Sequence, residues 1–121
     1  MTEYLIAFND EWVPDLTDED LREASKRVSV LRAEMKAAGV LIFTGGLDDA
    51  APVVSVDTSS GTPLITDGPY AETKEQLGGL AVIDVADEEA ARLWAGKIAV
   101  ACGWPQEVRR FRHATSPSDE Q

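Results

Sequence analysis

Between residues 66 and 79 the chain reads TDGPYAETKEQLGG, a run that holds several side chains able to do chemistry. Asp67 is a carboxylate beside a tight turn, the residue type that serves as a general base when a pocket desolvates it. Tyr70 and Lys74 add a phenol and an ammonium, which could stabilise developing oxyanion or enolate charge. Gly68, Pro69 and Glu72 would complete the ligand-contacting part of such a loop. The same residues also make sense as a connection between strands. Asp67 can hydrogen-bond the backbone ahead of it, and Gly68 relieves the restriction that Pro69 imposes. Gly78-Gly79 at the head of a strand marks a bulge or a close backbone approach. Structural lid and small-molecule site both remain open on these residues alone.

Most other chemistries are excluded. The sequence contains no G-x-S-x-G, H-E-x-x-H, C-x-x-C or phosphate-cradling G-x-x-x-x-G-K-[ST] pattern. His113 is the single histidine, so a multi-histidine metal centre within one subunit cannot form, and no metal or cofactor is expected. Asp48-Asp49 reads as a solvated turn. Cys102 is the single cysteine and has no nearby histidine or second thiol, which fits a buried structural thiol in a reducing compartment. With 22 acidic and 11 basic residues the net charge is −11, which disfavours nucleic acid and anionic membranes as partners. No basic segment followed by an apolar run occurs in the first thirty residues, and no apolar run is long enough for a membrane span. The expected location is cytoplasmic.

The elements that must position the loop are legible from periodicity. Residues 3–8, EYLIAF, form a short strand whose two faces are both apolar. Thr17 caps a helix with Asp20 three residues on, and Asp18, Glu19 and Asp20 favour the positive end of its dipole. Leu21, Ala24, Val28, Leu31, Met35 and Ala38 make one apolar stripe, which Gly39 terminates. Strands are expected over 40–46 and 51–58, with 62–66 returning as a hairpin arm and 78–85 as a core strand. Asp87 caps a second helix, with Ala90, Trp94, Ile98 and Ala101 on its buried face and Gly103 at its end. Residues 106–113 form a last, arginine-bearing edge strand, and 114–121 read as a disordered polar tail behind a single domain over 1–113.

This order fits an α+β, ferredoxin-like sandwich, an antiparallel sheet with two helices on one face. Leu80 and Val82 oppose Ala81, Ile83 and Val85, so the uncovered face of the sheet is apolar too. A second copy packed sheet to sheet across a two-fold axis is the simplest cover, and a homodimer is expected.

The block DGPYAETKEQLGG at 67–79, followed by Asp84-Val85 and by an acidic helix start carrying Trp94-Ala95, resembles the DGPF group of YCII-related proteins. Only Tyr70 departs from the four letters that name the group. The resemblance runs from Tyr4 to about Phe111 and implies a ferredoxin-like fold assembled as a dimeric α/β barrel. It also implies a small-molecule pocket, with cofactor-free lyase, isomerase or dehalogenase chemistry on a small cyclic compound. Relatives in the wider group carry a His–Asp pair in that pocket. One described activity there removes chloride from a chlorinated hydroxyhydroquinone, and muconolactone isomerases share the architecture. DGPF members are often encoded beside extracytoplasmic-function sigma factors, which implies the alternative of a non-catalytic, ligand-sensing regulatory partner. Counting back from Gly45-Gly46, the position where the histidine would fall lies near Ser29, and the first helix has no histidine. That departure weakens the acid–base reading and leaves Ser29 as a ligand-contacting candidate.

Overall fold

Alternation along EYLIAF becomes strand β1 (Thr2–Asn9), which buries Tyr4 and Ile6 on one face of a sheet. The computed structural model of the chain describes residues 1–68 and 76–112. A short 3-10 turn at Asp10–Trp12 follows β1 and leads to helix α1 (Asp18–Ala37). The capping box expected at its start is present: Thr17 Oγ1 accepts from the Asp20 N–H at 3.0 Å, and Asp20 Oδ2 accepts from the Thr17 N–H at 3.2 Å. Gly39, at φ 72°, takes the left-handed conformation that ends the helix.

The chain then forms β2 (Leu41–Gly46), β3 (Val54–Asp57), β4 (Leu64–Asp67), β5 (Leu77–Val85), α2 (Glu88–Cys102) and β6 (Glu107–Arg110). Four strands make one antiparallel sheet in the order β2-β5-β1-β6. With one helix after the first strand and the other before the last, this is the ferredoxin-like α+β arrangement. β3 and β4 pair only with each other, as a hairpin inserted between two sheet strands. β6 lies at the sheet edge, where Arg109 and Arg110 are exposed, as its arginines led one to expect. His113 and the tail at 114–121 lie outside the described residues.

Both helices pack on the same face. Leu31 and Met35 from α1 and Ala91, Ala95 and Ala101 from α2 join Tyr4, Ile6, Ala81, Ile83 and Val85 in one core. On α2 the deepest positions are the small residues Ala91 and Ala95, while Ala90, Trp94 and Ile98 are half-buried around them. The expected positions all reach the core, Ala101 buried and Ala90, Trp94 and Ile98 packed at its edge, with the small residues Ala91 and Ala95 deepest between them. Arg27 Nε donates to the Ala101 carbonyl at 2.8 Å and Lys97 pairs with Glu34, so the two helices are tied side by side.

The opposite sheet face carries Leu5, Ala7, Leu80 and Val82 by register, with Phe43 beside Val82. No described helix lies over it, and Phe43 is 60% exposed. A bulge between Leu41 and Phe43 also leaves Ile42 exposed.

Candidate functional site

The apolar stripe of α1 has two fates along its length. Ala24, Leu31 and Met35 are buried in the core, but Leu21 and Val28 stay 44% and 38% exposed. They border a gap between α1 and strands β2 and β5. The gap is a cavity of about 360 Å³, within the range of small-molecule sites. Its inner wall is hydrocarbon and aromatic, with Ile6, Phe8, Leu31, Met35, Ala81 and Ile98.

A few polar groups border this apolar space. Ser25, Ser29 and Arg32 fall at i, i+4 and i+7 on α1, one row along the cavity. Across from them Thr44 Oγ1 donates to the Leu80 carbonyl at 3.1 Å, which settles that hydroxyl against the strand. Gly45 and Gly46 leave β2 without bulk at the cavity wall. Trp104 and Gln106, just past α2, close the end of the cavity next to Phe8. Gln106 Nε2 donates to the Cys102 sulfur at 3.2 Å, and Cys102 itself is buried, consistent with a structural thiol. The Trp104 Nε1–H is buried without a hydrogen-bond partner among the described residues.

The glycine pair of the TDGPYAETKEQLGG run has a clear local role. The register shift opposite Phe8 and Asn9 leaves Gly78 as the extra residue of a bulge. The Phe8 ring lies on the two glycines, so that a Cβ at Gly78 would come within 2.5 Å of it and one at Gly79 within 2.8 Å. The glycines therefore let an aromatic ring reach the end of the cavity.

The candidate residues read from the sequence are dispersed. Ser29 lines the cavity. Asp67 is the last residue of β4 and exposed, and neither it nor Gly68 lines the cavity. Gly68, at φ 92°, is pinned at both backbone ends: its N–H donates to Val53 O at 2.6 Å and its carbonyl accepts from Ser55 Oγ at 2.5 Å. Pro69, Tyr70, Glu72 and Lys74 lie outside the described residues. Arg32, Ser25, Thr44 and Trp104 were not singled out from sequence. The signal for Ser25 and Arg32 was present, as a polar row flanking the apolar stripe at helical spacing. Thr44 and Trp104 needed the fold to bring them near.

Among the described residues the lining holds no Asp, Glu, His or Lys, and Arg32 is the one charged side chain in it. Among the described residues no group of three His, Cys, Asp or Glu side chains is placed to hold a metal. No helix in them is long and apolar enough to cross a membrane. A carboxylate whose acidity is clearly shifted sits elsewhere: two hydrogen bonds from Ser59, the side-chain one first, hold Asp57 below the usual range.

A helix-flanked antiparallel sheet with this cavity is matched at the level of sequence by a family model for the YCII-related domain, over residues 5–104. The chain belongs to the YCII-related family. It is also 32% identical over 88 residues to an uncharacterised protein of Rhizobium meliloti, covering 72% of this chain and 71% of that one. The family match spans β1 through the end of α2, and so includes every wall of the cavity except Gln106.

Proposed function

We propose that this YCII-related chain is a homodimeric small-molecule-binding protein that holds its guest between α1 and the sheet. The observation that carries this reading is the cavity of about 360 Å³, apolar within and bordered by a short row of polar groups. Leu21 and Val28 add apolar surface to its open rim. General acid–base turnover needs a titrating side chain within reach of the guest, and among the described residues the lining offers neither carboxylate nor imidazole, only the buried Cys102 thiol. Binding without conversion is therefore favoured. A guest that alters the dimer's surface would suit a sensor coupled to a regulatory partner, and the family resemblance points to an extracytoplasmic-function sigma factor.

The cavity is tested with a neutral fluorescent probe, N-phenyl-1-naphthylamine, on the full chain. Ser29→Trp places a large ring at an exposed helix position on the cavity wall, where it fills space without removing any core side chain. Probe fluorescence should rise with the native protein and fall strongly with Ser29→Trp at unchanged helical circular dichroism. Equal binding by the two proteins would remove the cavity as the site.

A catalytic alternative keeps Asp67 as general base, with Tyr70 and Lys74 stabilising charge in cofactor-free lyase, isomerase or dehalogenase chemistry. In its favour, the two hydrogen bonds at Gly68 fix the backbone beside Asp67 while the carboxylate stays exposed. Loss of turnover in Asp67→Asn at an unchanged melting temperature would establish it. A variant that melts early but still binds the probe would assign the loop a structural role.

A further inference from the structure

The chemical class of the guest follows from the charges around the cavity, on the reading that the cavity is a binding site. Acids make up 22 of the 121 residues and the net charge is −11. None of the acids among the described residues lines the cavity, whereas a guanidinium, Arg32, does. The site is thus a local inversion of the field that the rest of the chain produces. We propose that the cavity takes a small apolar monoanion, an aromatic or alicyclic carboxylate. Its ring enters among Ile6, Leu31, Met35 and Ile98, and its carboxylate is held at Arg32.

Each part of that guest answers to a feature of the wall. The inner surface has too few polar groups to accept a sugar or a nucleotide, which would leave buried hydroxyls unpaired. Arg32 keeps its charge at any working pH, and its planar donors match a carboxylate in two-point contact. A charge pair beside hydrocarbon is screened less than one in water, so a single guanidinium is enough to select a monoanion. A phosphate dianion would call for more than one cation, and among the described residues the lining supplies no second. Ser25 and Ser29, on the same row of α1 as Arg32, are placed to donate to the same carboxylate. Trp104 adds a different observation: its Nε1–H is buried and lacks an acceptor among the described residues. A donor in that state costs stability until an acceptor arrives, and a second oxygen on the ring of the guest would be one.

Calorimetry on the full chain with naphthalene-2-carboxylate and its neutral counterpart naphthalene-2-methanol tests the class. The native protein should bind the carboxylate at least about tenfold more tightly, the scale of one charge-assisted pair. Arg32→Gln, a change at an exposed position, should remove that preference and bring the carboxylate to the level of the alcohol. Equal binding of the two compounds by the native protein would overturn the anionic class while leaving the cavity as a site. A preference that survives Arg32→Gln would overturn the role of Arg32. Failure of both compounds together with the neutral fluorescent probe would overturn the cavity reading and this one with it.

Discussion

The Phe8 ring meets the Trp104 indole edge to face, with centroids 5.3 Å apart and planes inclined at 64°. One residue comes from the end of the first strand and the other from the turn after the last helix, and both line the cavity. The contact is available only because Phe8 lies flat on the backbone of Gly78-Gly79. A quadrupole-matched pair of this kind fixes ring orientation beyond what apolar burial alone gives. The pocket end is therefore set by a chain of contacts that runs from a glycine bulge through Phe8 to Trp104.

That chain makes Gly79→Ala a sharp test. The new methyl would lie 2.8 Å from Phe8 Cε1, closer than carbon atoms tolerate, and a tight 3.2 Å from the Gly45 carbonyl oxygen. Overpacking of this kind costs about 1–3 kcal/mol, read as a lower urea midpoint at an unchanged slope. Trimming the ring with Phe8→Leu should recover part of the loss in a double-mutant cycle, because the two changes share one contact. Additive effects of the two substitutions would mean that Phe8 does not bear on Gly79.

The same residues show what was legible beforehand. The pair Gly78-Gly79 announced a bulge or a close approach, but not which group would approach, since Phe8 lies about seventy residues away and the register of β1 on β5 decides it. Thr17 and Asp20 specified the start of α1 completely, because a capping box is a local device. The spacing predicts the apolar stripe on α1 except at Ala38, an exposed cap just past the helix, yet periodicity has no term for how deeply each position packs. Leu21 and Val28 look the same in sequence as Leu31 and Met35, and only the packing separates cavity wall from core. Charged residues near a turn, Asp67 above all, draw the eye toward chemistry. A guanidinium such as Arg32, on a helix with charges all along its solvent side, does not.

The hairpin of β3 and β4 carries its own pH-dependent element. Ser59 Oγ donates to Asp57 Oδ2 at 2.6 Å, and the Ser59 N–H donates to Asp57 Oδ1 at 3.1 Å. Both bonds favour the ionised carboxylate, so the folded-state pKa lies below the ordinary value of 3.8. A depressed folded value means that the stabilising contribution is present above the unfolded pKa and is lost as pH falls through the folded one. Ser59→Ala removes the larger of the two causes. Carbon NMR of the Asp57 carboxyl should then show a midpoint at higher pH than in the native chain. An identical midpoint would show that the hydroxyl is not what holds the carboxylate down.

The second sheet face is where a second copy would pack. Leu5, Leu80 and Val82 are half-buried there and Phe43 is 60% exposed, with no described helix above them. Asp84 belongs to the same face by register, and its Oδ1 is buried without a hydrogen-bond partner among the described residues. A two-fold partner would cover the apolar residues and could supply a donor to Asp84, whereas exposure to water would leave the apolar face wet. Interfaces that hold stable dimers bury about 800 Å² on each partner. Phe43→Asp would place a charge against its own symmetry mate or a neighbouring side chain in that interface. Sedimentation should therefore find the native chain as a dimer and Phe43→Asp as a monomer at micromolar concentration. The variant should keep its fold, because Phe43 takes no part in the core between sheet and helices. A native chain that sediments as a monomer would refute sheet-to-sheet pairing and leave the cavity, which one chain forms by itself, as the binding site to test.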